Sequence, residues 1–217
     1  MPEEIKLAPL PTNAVFDGIE KMNLPFDGQT FPSSGKSVFE KLVLKHKPKT
    51  IIEVGTHKGG SAVRWAQLSD RDCKIYCVDT WLEAADAVLC ANKTYVVSYN
   101  QGHPLTYWQF LNNMKTMGLH EKIIPIVNTS TEAAIILKAH KVTAQIIYID
   151  GSHSFRQAYY DMHDYWPMLE SGGAMLVDDL VLYPDVCAAT YRFAAENELW
   201  QNWEPVEDRT FALFTKP

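Results

Sequence analysis

The stretch Thr50-Ile-Ile-Glu-Val-Gly-Thr-His-Lys-Gly-Gly-Ser61 decides how the rest of the chain is read. Apart from Glu53, residues 50–54 form a short β-branched run without polar alternation, the pattern of a strand buried on both faces. Gly55, Gly59 and Gly60 then turn the chain into a helical stretch over 60–68. The segment is therefore strand, glycine turn, helix. Missing side chains in such a turn let the backbone approach a ligand closely, ahead of a helix N-terminus. A P-loop would need GxxxxGK[ST]; Gly55 and Gly60 have that spacing, but Ser61-Ala62 stands where lysine and a hydroxyl residue must be. A dinucleotide fingerprint, GxGxxG, lacks its second glycine because Thr56-His57 follows Gly55. A turn that merely packs helix on strand is the third reading.

Working outward, similar apolar runs recur at 74–78, 123–127, 145–149 and 174–177. Helical stretches near 105–117, 131–140, 154–169 and 184–199 alternate with them, and another, capped by Ser33 or Ser34, precedes the first strand and runs to about Lys47. Strands alternating with helices predict an α/β fold, a mainly parallel sheet covered on both sides. Residues 202–206 and 210–215 are joined by only Glu207-Asp208-Arg209, which predicts an antiparallel hairpin at the end. The first 32 residues hold five prolines and little periodicity, so they read as an irregular arm or cap outside the core, with the main domain over 33–217. The unpatterned connection 83–104 has the length of a lid or binding loop.

Composition narrows the function. With 20 basic and 26 acidic residues, the 217-residue chain carries a formal charge of -6, which speaks against sequence-independent nucleic-acid binding. No apolar run is long enough for a membrane span, and Met1-Pro-Glu-Glu is acidic where a secretory signal is basic, so a cytoplasmic location is expected. Cys73, Cys77, Cys90 and Cys187 lack zinc or disulfide spacing and read as reduced thiols. A small-molecule partner is the expectation, with a homodimer through the arm or an aromatic surface as the guess for assembly.

In an open parallel sheet, ligands bind beyond the carboxyl ends of the strands, so the residues there matter most. The second strand ends in Val78-Asp79-Thr80-Trp81, where a carboxylate is placed to accept from ribose hydroxyls. The fourth ends in Asp150-Gly-Ser-His153 and the fifth in Asp178-Asp179. Three carboxylates brought together repel unless protons or a cation relieve them; hard oxygen ligands without cysteine suit magnesium, calcium or manganese. His153 suits a general base at neutral pH. Against these readings, Asp-Gly is a common turn, Asp178-Asp179 could be a solvated loop, and the histidine could be a surface residue.

Taken together, these segments resemble class I S-adenosylmethionine-dependent methyltransferases, and within them the metal-dependent macrolide-sugar O-methyltransferase and cephalosporin-hydroxylase-like group. The resemblance rests on Glu53-Val-Gly-Thr-His-Lys-Gly-Gly-Ser61, Val78-Asp-Thr-Trp81, Asp150-Gly-Ser-His-Ser-Phe155 and Leu169-Glu-Ser-Gly-Gly173 running to Val177-Asp-Asp179, in that order. It implies a Rossmann-like three-layer sandwich whose seven-stranded sheet is parallel except for an antiparallel last strand. It also implies that Glu53, Gly55, Thr56, Gly59 and Ser61 hold the methionine end of the cofactor. Asp79 would take the ribose, with Thr80 and Trp81 beside it, and Ser130 the adenine side, although Ser130 suits a helix cap equally well. Asp150, also beside the cofactor, would ligate a divalent metal, magnesium first, together with Asp178 and Asp179, and His153 would be the base. The implied function is metal-assisted O-methylation of a small hydroxylated acceptor. A non-catalytic S-adenosylmethionine-binding module and, further off, an NAD-dependent oxidoreductase are the alternatives.

Overall fold

Five apolar runs, each too short to be a buried helix, pair side by side because only a sheet satisfies their backbone groups while both faces stay dry. In the computed structural model, residues 7–27, 36–82, 98–206 and 210–217 are described. The parallel strands are β1 (Thr50–Val54), β2 (Lys74–Asp79), β5 (Ile123–Val127), β6 (Ala144–Ile149) and β7 (Leu169–Val177). A two-residue hairpin, β3 (Tyr99–Asn100) with β4 (His103–Pro104), stands apart. The seven-stranded sheet is completed by β8 (Trp203–Val206) and β9 (Phe211–Thr215), in the order β5-β2-β1-β6-β7-β9-β8. β9 runs antiparallel to both of its neighbours, so the last strand alone is reversed. This matches the expected topology.

Helices fill both faces. α1 (Lys36–His46), α2 (Gly60–Leu68) and α3 (Leu105–Thr116) cover one side, where Phe39 stacks on Trp65 and both approach Tyr148. α4 (Ser130–Ala139), α5 (Phe155–Tyr165) and α6 (Pro184–Glu196) cover the other, around Met162, Tyr165, Phe193 and Phe214. α5 stops short of the predicted 169 because Pro167 turns the chain into a 3-10 segment, Trp166–Met168. Leu169 then begins β7, a strand five residues longer at its start than its apolar run indicates, since Glu170 to Gly173 carry no strand signal.

The reading of the first 32 residues as outside the core is corrected. Phe16 and Ile19, in two short 3-10 turns, are 0% and 2% exposed and belong to the core beneath α3. Polar bonds hold the following stretch in place. Fully buried Asn113 accepts from the Asp27 backbone N–H at 3.1 Å and donates to Lys58 O at 3.0 Å, while Lys58 Nζ pairs with Asp27 at 3.0 Å. The cap at Ser33 or Ser34, residues 83–97 of the predicted lid, Cys90 and the Glu207-Asp208-Arg209 link lie outside the described residues. Cys73, Cys77 and Cys187 are free thiols. Among the described residues no helix is long and apolar enough to cross a membrane.

Phe16→Ala tests the correction. Removing a fully buried phenyl ring should cost about 3–5 kcal/mol, a fall in Tm of roughly 10 °C. A segment lying outside the core would change stability by less than about 0.5 kcal/mol in the same urea titration.

Candidate functional site

The carboxyl ends of β1, β2, β5 and β6 open onto a cavity of about 550 Å³, within the range of small-molecule sites. Its floor is the glycine turn. Gly55 has φ +90°, and a Cβ there would lie 1.9 Å from the carbonyl oxygen of Asp150, so the loops after β1 and β6 touch backbone to backbone. Gly59, at φ +89°, has a different reason to be glycine: a Cβ would stand 2.5 Å from Met114 Cε, which packs α3 on the turn.

One wall carries Asp79. Its two oxygens accept from the backbone N–H groups of His57 and Trp81, each at 2.7 Å, which fixes the carboxylate in the cavity wall. Trp81 adopts φ +55°, buries its ring against Tyr107 and Phe110, and donates its indole N–H to His57 O.

Behind the turn sits Glu53, 0% exposed. Ser61 Oγ donates to its Oε1 at 2.6 Å, and Oε2 has no partner. Burial raises this carboxyl from the ordinary 4.5 to about 8; the Ser61 bond opposes the shift and nearby Asp79 adds to it.

The opposite wall is the acidic cluster. Tyr148 donates its hydroxyl to Asp178 Oδ2, and the Tyr148 hydroxyl oxygen also lies 3.1 Å from Asp150 Oδ2. A phenol has one hydrogen, so the Asp150 contact calls for a proton on that carboxyl. Burial favours that form, pushing Asp150 well above the usual carboxylate range with further help from Asp178, Asp179 and Glu53. Asp178 is raised by burial in the same way, against the pull of Tyr148 and of the Asp179 N–H, which donates to its Oδ1 at 2.7 Å. Asp179, at φ +63°, turns its Oδ2 to His153 Nε2 at 2.8 Å. The imidazole stacks on Tyr183 with centroids 3.8 Å apart and planes 7° from parallel.

Of the expected residues, Gly55, Asp79, Thr80, Trp81, Ser130, Asp150 and His153 line the cavity. Asp178 and Asp179 line a smaller adjoining recess together with Asp150 and His153. Glu53, Thr56 and Ser61 are buried behind the turn and Gly59 faces α3, so these four support the floor without forming its surface. The donor chemistry of the three aspartates suits a hard cation, but their present bonds do not. Both Asp178 oxygens accept from the chain, Asp150 shares the same phenol, and Asp179 faces His153. Among the described residues no group of three or more His, Cys, Asp or Glu is arranged to hold a metal ion.

One correction concerns the β5 end. Thr129, one residue before Ser130, caps α4 by accepting from Glu132 N at 3.2 Å, so Ser130 is not the cap. Sequence reading also passed over His57, Asn128, Gln157 and Asp161, which line the cavity. Asp161 had a visible signal: it falls on the buried stripe Ala158, Met162, Tyr165 of α5, where an acid is out of place.

Comparison with known proteins bears on this arrangement. A protein-family model described as a methyltransferase domain matches residues 52–180. The chain is similar in structure to an O-methyltransferase from Bacillus cereus in complex with SAH: TM-score 0.62, 12% identity, covering 95% of this chain and 92% of that one. It is similar also to the O-methyltransferase TomG from Streptomyces achromogenes, involved in tomaymycin synthesis and in complex with SAM: TM-score 0.60, 12% identity, covering 94% and 89%. No curated protein matches it.

The buried carboxyl behind the turn makes a pH prediction. Because the folded value of Glu53, about 8, lies above its ordinary 4.5, its stability contribution is full at acid pH and is lost as pH rises through that window. Glu53→Gln cannot ionise, so its Tm relative to wild type should rise between pH 5 and pH 8. A difference that stays flat across that range would show that Glu53 ionises normally.

Proposed function

Since this chain belongs to the methyltransferase-domain family, we propose that it transfers the methyl group of S-adenosylmethionine to the hydroxyl oxygen of a small acceptor. One observation carries the reading. One cavity holds a rigid strand-end carboxylate, Asp79, on one side and His153 on the other, with Asp179 paired to His153 from the adjoining recess. The first suits a ribose diol; the second suits a proton to be removed. The solved structures similar in fold include O-methyltransferases holding SAH or SAM, which supports the choice of cofactor and acceptor atom.

When bound, S-adenosylmethionine supplies an electrophilic methyl carbon on a positively charged sulfur. This chain's own residues do the rest. Gly55 leaves room for the ligand against the floor, and the carboxylate of Asp79 in the cavity wall suits its positive charge. The acceptor oxygen attacks in line at roughly 3 Å, so holding the two molecules together contributes much of the rate. The bound group would give up that methyl carbon to the oxygen with its C–S electron pair left on sulfur. The hydroxyl proton passes to His153, whose positive charge Asp179 then balances across their 2.8 Å contact, while stacking on Tyr183 limits how far the ring can turn. No step is routed through a metal, because both Asp178 oxygens and Asp150 Oδ2 are bonded within the chain.

Thermal shift tests the cofactor. S-adenosylmethionine or S-adenosylhomocysteine at a hundredfold excess over Kd should add about 2.7 kcal/mol, a rise in Tm of roughly 5–10 °C, with no response to NAD. A response to NAD alone would overturn the reading in favour of an oxidoreductase. With an acceptor in hand, His153→Ala should lower kcat by about 10²- to 10⁴-fold without weakening cofactor binding. An unchanged rate would remove His153 from the chemistry.

A further inference from the structure

Arm residues 24–27 run without regular secondary structure, so their backbone groups need partners from elsewhere. α3 supplies them from one face, through Gln109, Asn112 and Asn113 at positions i, i+3 and i+4. Gln109 Nε2 donates to Pro25 O at 2.8 Å, and Asn112 Nδ2 donates to Leu24 O and Pro25 O at 3.2 and 3.3 Å. Asn113 Oδ1 accepts from Asp27 N at 3.1 Å and from Gln109 Nε2 at 2.9 Å. Its Nδ2 donates to Lys58 O at 3.0 Å and, at a longer 3.4 Å, to Asp27 O.

A side-chain amide has two hydrogens to donate and an oxygen that can accept twice, so Asn113 is fully engaged at 0% exposure. Holding the arm would need only the bonds to the arm. The bond to Lys58 O goes instead to the glycine turn, and Lys58 Nζ reaches back to Asp27 at 3.0 Å. Arm, α3 and turn therefore close a ring of polar contacts.

The turn needs such a hold. Gly55, His57 and Gly59 all sit at left-handed φ, +90°, +48° and +89°, and the Cβ of His57 disfavours that conformation. His57 lines the cavity. Its N–H is taken by Asp79 and its carbonyl by Trp81, while the next carbonyl, Lys58 O, is taken by Asn113. Asp27, Lys58 and Asn113 do not themselves line the cavity, so any effect they have on a ligand there passes through the turn.

We propose that Asn113 is a positioning residue for cofactor binding: by tying Lys58 O to the arm at Asp27, it holds the glycine turn in its ligand-receiving shape. The inference rests on the adenosyl-cofactor reading above. Arm docking and cofactor binding then reinforce one another, and by linkage each strengthens the other by the same factor.

Calorimetry with S-adenosylhomocysteine and hydrogen exchange, both on the full chain, test this together. Asn113→Ala should weaken the ligand about tenfold. Lys58→Met, which removes only the part-buried ion pair, should weaken it roughly threefold. In wild type, saturating ligand should slow exchange of the Phe26 and Asp27 amides by about tenfold, and that gain should vanish in Asn113→Ala. An Asn113 that served the fold alone would lower the ligand-free Tm yet leave affinity and ligand-dependent exchange unchanged in the folded variant, which would overturn the proposal. Should Asn113→Ala fail to fold, wild type decides: normal binding with no response at residues 26 and 27 overturns the proposal and leaves the adenosyl site standing. Failure of wild type to bind S-adenosylhomocysteine at all would instead overturn the functional reading, and this proposal with it.

Discussion

Two loops meet where there is no room for a side chain, and the site is arranged around that contact. The turn after β1 lies so close to the backbone after β6 that a single Cβ at Gly55 would overlap the carbonyl of Asp150. Backbone cannot rotate away as a side chain can, so the approach fixes the separation of the two strand ends. Asp150 N donates to Val54 O at 2.8 Å and Gly55 N to Val78 O at 2.9 Å, tying β6, β1 and β2 together just below the cavity. Asp79 and His153 inherit their positions on opposite walls from this tie.

Charge is the second constraint. Glu53, Asp150, Asp161 and Asp178 are all raised by burial. Carboxyls withdrawn from water without cations hold protons more tightly, and each proton held is a cost deferred. A positively charged ligand entering the cavity would favour their charged forms and recover part of that cost. The glycine floor fits the ligand's shape; the acidic surroundings suit its sign.

What the sequence shows depends on whether the cause is local. The strands of the parallel sheet were legible because burial on both faces leaves an uninterrupted apolar run, and the strand–turn–helix at 50–68 because glycines punctuate it. Asp79 and the Asp150–His153 stretch were legible because strand ends point to the ligand edge. Phe16 and Ile19 were not, since isolated apolar residues among prolines carry no period, and the Asn113 bonds that hold the segment cross 86 residues of chain. Ser130 was read as interchangeable with a cap; one residue of register, visible only in space, gives that task to Thr129. The internal bonding of the aspartates was equally hidden, because Tyr148 gives no sign in sequence that it will bridge Asp150 and Asp178.

The order of the strands carries a consequence for how the molecule is made. β8 leaves the ribosome before β9, yet in the finished sheet β9 lies between β7 and β8. β8 therefore has no strand to pair with until its successor emerges, and β7 keeps an open edge for as long. An unpaired edge beside an apolar strand is an invitation to a neighbouring chain. The nascent protein is most vulnerable to association in the interval before its final strand slides in, when the cavity's floor is already complete.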